Sequence, residues 1–290
     1  MAATAALPKR RATLRLSRVA RQGMIHAITA LVCVATIFPV YWMFVCSSQP
    51  LQYILSFPPR LIPLSLDWTP FLKLPEKFPI WYWLRNSAVL ALVTTLMSLA
   101  LTIPGAFAMS SLRWRGKGFF GFFLLLTQML PEALLVIPVF ILFRRLHLLE
   151  KLVPVALMDT AFLLPICIWI LKNLFDEIPR EILDAGLVDG CHLLGVLWYI
   201  LLPLSGPPLV AVAVVAFFGA WNEYLFASTM ITHDKLWPTT VGLSSLPSMV
   251  DTPIDRMLAG GLVFSVLPVI FYMIVQRYVV AGLTAGAIKG

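Results

Sequence analysis

Three acidic residues, Glu132, Asp159 and Glu223, stand inside long apolar runs of this 290-residue chain. An ionised carboxylate in such a run is expensive and faces protein or water rather than lipid. It could accept hydrogen bonds from a polar solute. Trp221-Asn222-Glu223 is the richest of these places, because an indole face beside an amide and a carboxylate suits sugar hydroxyls. A structural role competes with this one: Asn222 and Glu223 could bind helix carbonyls or a partner chain, and Glu132 could cap a helix restarting after Pro131. Asp159 could lie near enough to the outer surface to be solvated. Catalytic chemistry has little to build on. Cys33, Cys46, Cys167 and Cys191 form no CxxC pair, and His26, His147, His192 and His233 are isolated, which argues against a zinc site. Gly116-Lys117-Gly118 lacks the upstream glycine and the hydroxyl residue of a phosphate loop, so the chain cannot hydrolyse ATP by itself.

The elements that must position these residues are set by composition. With 60% hydrophobic and 12% charged residues and a mean hydropathy of +0.88, the chain has too little polar surface for a soluble globule. It belongs in a bilayer. The net charge of +8 falls largely beside apolar runs, where it anchors helix ends and meets anionic lipid. No basic stripe interleaved with stacking aromatics points to nucleic acid. A helix needs about 20 apolar residues to cross the hydrocarbon, and six windows predict spans: 24–46, 87–111, 119–143, 152–172, 202–231 and 258–280. Pro39, Pro104, Pro131, Pro138, Pro165 and Pro268 fall inside them and predict kinks, which a membrane helix tolerates.

Lys9, Arg10, Arg11, Arg15, Arg18 and Arg21 precede the first span and place the N-terminus in the cytoplasm. An even number of spans returns the C-terminus there. Segments 47–86, 144–151 and 232–257 are then external, and 112–118, 173–201 and 281–290 internal; Arg144, Arg145 and Lys151 run against the rule. The run behind Gln22 is too long for a cleavable signal. Residues 1–23 read as a disordered basic lead-in, 24–280 as the membrane domain and 281–290 as a cytoplasmic tail. Prolines in 47–86 oppose a long helix there, and Trp68, Trp81 and Trp83 suit the headgroup level. No 20–50-residue repeat is visible, nor two halves related as inverted repeats.

The internal stretch from Ile178 to Pro203 reads as two short helices with a hinge. Asp176 or Glu177 can cap the first, Pro179 suits its first turn, and Asp189-Gly190 supplies a left-handed stop. Ile182, Leu183, Ala185 and Leu187 give it an apolar face. The run resembles the EAA loop of bacterial ATP-binding-cassette importers: Asp184-Ala185-Gly186, Gly190, Ile200, Leu202 and Pro203 fall on its spacing, with Asp184 for the usual Glu and Gly186 for the second Ala. Arg85-Asn86-Ser87, Pro131 to Pro138, Trp221-Asn222-Glu223 and the tail Gly282 to Gly290 resemble permeases of the maltose-transporter type, from about residue 24 onward.

The resemblance implies an all-α integral membrane protein with the type I importer architecture, about six spans and a coupling helix. The function it implies is import of a sugar or related solute by alternating access, as a non-catalytic pore subunit in a bacterial inner or plasma membrane. A glycerol phosphodiester or another non-sugar polar solute is the other class that it leaves open, and an intramembrane enzyme or channel is the remote alternative, against which stand the missing catalytic clusters and the coupling loop. Glu181, Asp184, Ala185, Gly186, Asp189, Gly190, Ile200, Leu202 and Pro203 are then the ATPase-coupling residues. Gly282, Leu283, Thr284, Gly286 and Lys289 become tail contacts within the ATPase dimer, where glycines allow close approach. Glu132, Trp221, Asn222 and Glu223 are candidates for the substrate pathway. The implied partners are an ATPase dimer carrying ATP and Mg, a second permease subunit and an external binding protein, into whose cleft Ser244 to Met249 would reach. The chain itself is expected to bind no cofactor or metal.

Overall fold

A computed structural model of the chain describes residues 9–54, 56–63, 65–248 and 254–287. The apolar windows become helices. In chain order these are α1 (Lys9–Ser47), α2 (Leu51–Ile54), α3 (Thr69–Lys77), α4 (Ile80–Ser110), α5 (Lys117–Thr127), α6 (Glu132–Arg145) and α7 (Leu152–Asp176). Then come α8 (Arg180–Val188), α9 (Leu193–Gly195), a π-helical turn (Val196–Leu201), α10 (Leu202–Leu204), α11 (Gly206–Trp221), α12 (Leu225–Met230), α13 (Thr239–Ser245) and α14 (Ile254–Ala287). Among the described residues, five stretches are long and apolar enough to cross a membrane: Arg21–Ser47, Ile80–Ser110, Leu152–Asp176, Gly206–Met230 and Ile254–Arg277. The pair α5 and α6 makes a sixth if it is taken as one broken span.

α4 is the centre of the bundle. The seam it forms with α7 and α11 carries small or hydroxylated side chains at helical spacing, and Ser87, Ala91, Thr94, Ser98, Thr102 and Ala106 are all buried. Such residues let backbones approach where lipid supplies no hydrophobic drive between helices. Thr95 and Thr160 donate their hydroxyls to the carbonyls of Ala91 and Ala156, four residues back, so their polarity is satisfied within the helix. Apolar clusters flank the seam: Leu90, Val155, Phe226 and Met230 toward one end, Phe107, Leu171, Phe175 and Leu201 toward the other.

Several expectations change. The segment before span two is helical in α3, and span two begins at Ile80 rather than 87, directly after Pro79, which is pre-set to start a helix. Span three is two helices meeting at 94°, not one kinked helix. Pro131 is the cause. It has no N–H to continue the ladder, it disfavours helical backbone at Leu130, and it is itself extended, with φ −64° and ψ 127°. Span five is interrupted between Trp221 and Leu225. The basic lead-in is helical from Lys9, as its Arg and Leu residues favour, and the backbone of the tail continues α14 through Ala287.

At one end of the bundle, residues 231–242 fold over the start of α4. The indole Nε1 of Trp83 donates to the Asp234 carbonyl at 2.7 Å, and Asn86 Nδ2 donates to the carbonyls of Lys235 and Trp237 at 2.8 and 3.1 Å. Ser87 Oγ accepts from the Thr239 N–H at 2.8 Å. Leu246 is wholly buried against this group, so at least that part of the 244–249 stretch is packed rather than projecting; residues 249–253 lie outside the described ones.

Glu150, in left-handed backbone with φ 59°, completes the attachment. Its carboxylate accepts from the Thr232 N–H at 2.9 Å, the Thr232 hydroxyl at 2.6 Å and the His233 N–H at 3.3 Å. Burial pushes this carboxyl up, but the hydrogen bonds from Thr232 and His233 outweigh it and hold the group below its ordinary value. A depressed carboxylate contributes stability above the ordinary range and loses it as pH falls through the lowered value. Glu150→Gln should therefore cost about 1 kcal/mol locally, or about fivefold in opening of the 231–238 segment. Limited proteolysis at neutral pH reads it; the wild type should approach the variant on acidification, and equal cleavage at neutral pH would count against the attachment.

Candidate functional site

The two broken spans deliver their breaks to the same place. Glu132 opens α6 just after Pro131, Glu223 lies in the gap before α12, and Asp159 faces them from α7. With Asn222, Phe162 and Tyr224 they line a pocket of about 250 Å³. Glu223 is partly committed: its Oε1 accepts from the N–H groups of Phe226 at 2.5 Å and Ala227 at 3.0 Å, so it caps α12. Its backbone carbonyl accepts from the Thr240 hydroxyl, which ties the break to the folded-over segment. Asn222 Nδ2 donates to the Phe218 carbonyl at 2.8 Å. The structural role weighed for Asn222, binding a helix carbonyl, is thus present, while Glu223 instead accepts from N–H groups; both still line the pocket.

Asp159 is the correction. It is 6% exposed, not solvated at a surface, because it sits beside Thr94 of the central helix and next to Glu223. Trp221 departs in the other direction. It stacks on Phe217 and Phe264 with centroids 5.8 and 4.8 Å away and is 2% exposed, so its ring joins α11 to α14 and does not line the pocket. Glu132 is exposed at the pocket rim, in the first turn of α6, and α6 has no side-chain cap. Phe162 and Tyr224 went unnoticed in the sequence. Their only local signal is proximity to an acid, and the break that gathers them is a tertiary feature.

The opposite end of the bundle holds the 178–203 stretch. Pro179 occupies the cap position of α8. Neither Asp176 nor Glu177, the two expected caps, takes that place: Glu177 ends α7, and Asp176 accepts from Lys172 at 2.5 Å and from the Ser110 hydroxyl at 2.6 Å. α8 ends as its spacing predicts: Gly190 has φ 92°, its N–H reaches the Leu187 carbonyl at 3.2 Å, and the Cys191 N–H reaches the Gly186 carbonyl at 2.9 Å. This doubly bonded left-handed turn satisfies the last carbonyls of the helix. Gly186 has its own packing reason, since a Cβ there would lie 2.3 Å from Ile200 Cδ1. The two motif positions are in contact, and the departure from Ala makes room for Ile200.

Around this turn the apolar side chains lack cover. Val188 is 87% exposed, with Ile182, Leu187, Leu193 and Leu194 also exposed. A cleft of about 630 Å³ separates α8 from the 110–117 turn, with Arg113, Lys117, Arg180 and Asp184 on its walls. Glu181, Ala185 and Asp189 are exposed on the same helix and turn, and Leu202 and Pro203 lie in α10, before the fifth span begins at Gly206 rather than at 202. Gly282, Leu283, Thr284 and Gly286 fall on the helical backbone of α14, while Lys289 lies outside the described residues.

Comparison with known proteins gives the family and the fold. The family described as "Binding-protein-dependent transport system inner membrane component" matches residues 100–285. The inner membrane ABC transporter permease YcjP of Escherichia coli K12 is 33% identical, over 90% of this chain and 94% of its own length. The diacetylchitobiose uptake permease DasC of Streptomyces coelicolor is 29% identical over 91% and 96%, and the trehalose/maltose permease MalG of Thermococcus litoralis 29% over 91% and 94%. A solved bacterial ABC transporter that imports the acidic polysaccharide alginate shares the fold, with a TM-score of 0.73, 21% identity and coverage of 95% and 99%. The chain belongs to the binding-protein-dependent transport system inner membrane components, the permeases of ABC importers.

Proposed function

We propose that the chain is one pore-forming subunit of an ATP-driven importer of neutral sugars or oligosaccharides, with no catalytic centre of its own. The observation that carries this reading is the uncovered apolar surface on α8 and its Gly190 turn, outside the spans. Exposed apolar patches rimmed by charge mark protein contacts. The occupant is an ATPase dimer that holds ATP and Mg, and Glu181, Asp184, Ala185, Gly186, Asp189 and Gly190 form the contact or its support. Ile200, Leu202 and Pro203 pass the motion into the fifth span. The Gly190 end is cytoplasmic, in keeping with the basic residues before α1, and the backbone around Gly282 to Gly286 enters the same assembly. The Glu150 end faces the external binding protein, and the exposed sides of the bundle take lipid and a second permease subunit. Alternating access follows if closure of the ATPases shifts α8 and the bundle has two packed arrangements.

The sugar class is supported by what the names of DasC and MalG say those relatives carry. Reconstitution of the complete complex into proteoliposomes tests both parts. With ATP on the ATPase side and receptor on the other, radiolabelled trehalose, maltose or diacetylchitobiose should accumulate. Accumulation of a glycerol phosphodiester with none of the three sugars would overturn the sugar class, and accumulation without ATP would overturn the mechanism.

A further inference from the structure

The cleft of about 630 Å³ beside α8 is basic, and its charges are unevenly committed. Arg113, Lys117, Lys172 and Arg180 line it against Asp176 and Asp184. Lys172 and Asp176 satisfy each other, and Lys117 Nζ donates to the carbonyls of Ser110 and Leu112 at 2.8 and 3.3 Å. The two arginines, one on the 110–117 turn and one at the start of α8, have no carboxylate partner among the described residues. The Ser111 hydroxyl, also on the wall, is buried and lacks a hydrogen-bond partner there. A buried hydroxyl left unsatisfied is costly, so it leaves a place for a group from elsewhere. Lys117 and Arg180 are also the first residues of α5 and α8; neither helix has a side-chain cap, and such helix starts favour anions. Glu181, in the first turn of α8, does not line the cleft.

The depth of the cleft narrows the source of the anion. Three spans have an end on its walls: Ser110 closes Ile80–Ser110, Asp176 closes Leu152–Asp176, and Lys117 opens the broken third span. It therefore lies where hydrocarbon gives way to headgroups, and Trp114 on the same turn is half-exposed, as suits an indole at that level. Basic pockets between span ends at this depth take lipid phosphates. Leu112, Ile178, Leu183 and Leu187 supply an apolar wall that a glycerol ester can use and a soluble phosphate cannot. We propose that this cleft binds the headgroup of an anionic phospholipid of the inner leaflet, its phosphate held by Arg113 and Arg180 and its glycerol end set against the apolar wall. A guanidinium fork grips phosphate through two hydrogen bonds at once. The bound lipid joins the 110–117 turn to α8 and so braces the coupling helix against α4. The site rests on the proposed function only for the leaflet that supplies the lipid.

The test takes the complete complex in detergent and counts bound lipid by native mass spectrometry, titrating phosphatidylglycerol against phosphatidylcholine with the same acyl chains. Phosphatidylglycerol should bind at least about tenfold more tightly. Arg113→Gln and Arg180→Gln should each weaken it about fivefold and leave phosphatidylcholine unmoved. Because these arginines also help to orient the spans, the double variant Arg113→Lys with Arg180→Lys keeps the charge and removes only the fork; it should lose about threefold. Arg115→Gln removes the same charge from the same turn outside the cleft, and should stay within about twofold of the wild type. Equal affinity for the two lipids, or unchanged affinity in the glutamine and lysine variants, overturns the site. A loss in Arg115→Gln as large as in Arg113→Gln assigns the binding to diffuse surface charge and overturns it too. Full displacement of phosphatidylglycerol by millimolar glycerol 3-phosphate overturns the lipid as occupant in favour of a soluble phosphate. Sugar uptake by the same preparations reads the proposed function separately, so a cleft without lipid selectivity leaves that reading standing.

Discussion

Replacing Gly190 by proline is expected to abolish solute uptake while the chain still reaches the membrane in normal amount. Gly190 holds φ at 92°, whereas the proline ring fixes φ near −65°. Proline also removes the N–H that bonds the Leu187 carbonyl, and the displaced turn would break the companion bond from Cys191 to Gly186. Together these effects cost about 3 kcal/mol or more at one turn. None of it touches the spans. The insertion signal in the apolar helices is therefore intact, but α8 loses its fixed direction relative to α9 and the fifth span. Gly190→Asn is the control, since asparagine tolerates left-handed backbone and commonly ends helices; it should retain most uptake. Membrane abundance by immunoblot and uptake in proteoliposomes separate the two outcomes. Normal uptake by an inserted proline variant would remove α8 from the coupling route.

Gly242→Val is expected to give the largest loss of stability. A Cβ at this position would lie 2.2 Å from Cδ2, 2.3 Å from Cε3 and 2.6 Å from Cε2 of Trp83, so the indole lies directly against the glycine backbone. Trp83 has nowhere to go: it is fully buried and its Nε1 is held by the Asp234 carbonyl. Overpacking of a rigid, filled site costs about 1–3 kcal/mol, and a clash with an immobile aromatic ring belongs at the top of that range or above it. The midpoint of thermal unfolding in detergent should fall, and the segment 231–248 should become protease-sensitive. Adding Trp83→Leu to the valine variant should recover part of the loss, because the two side chains compete for one volume. A valine variant with an unchanged midpoint would show that α13 does not pack on α4 as described.

What was legible in the sequence, and what was not, divides along physical lines. The Gly190 turn was legible because its cause is local: a left-handed residue after an amphipathic run has few other uses. The spans were legible because hydrocarbon thickness sets a length. At Pro131 the sequence offers both a kink and a helix restarting at Glu132, since tertiary packing decides whether a membrane proline bends a helix or divides it. Arg85-Asn86-Ser87 marked a family but disclosed no task. Asn86 and Ser87 bind backbone about 150 residues downstream, and no spacing rule reaches that far. Trp221 looked like a sugar platform because an indole beside Asn and Glu resembles one, whereas its partners Phe217 and Phe264 become visible only when α11 and α14 meet. Asp159 carried the opposite surprise, an acid that looked close to water and proved buried.

α4 has a mechanical consequence. It runs 31 residues without interruption, about 46 Å at the rise of an α-helix, while the third and fifth spans are jointed. Its first turns grip residues 234–239 through Trp83, Asn86 and Ser87. Its last residue, Ser110, is bonded through its hydroxyl to Asp176 and through its carbonyl to Lys117. α4 is thus an unbroken helix anchored at both ends, beside two spans that can yield at their joints. A displacement at one end of α4 meets a continuous hydrogen-bonded helix, whereas the third and fifth spans each have a joint that can take up slack, and the acid pocket lies at those joints.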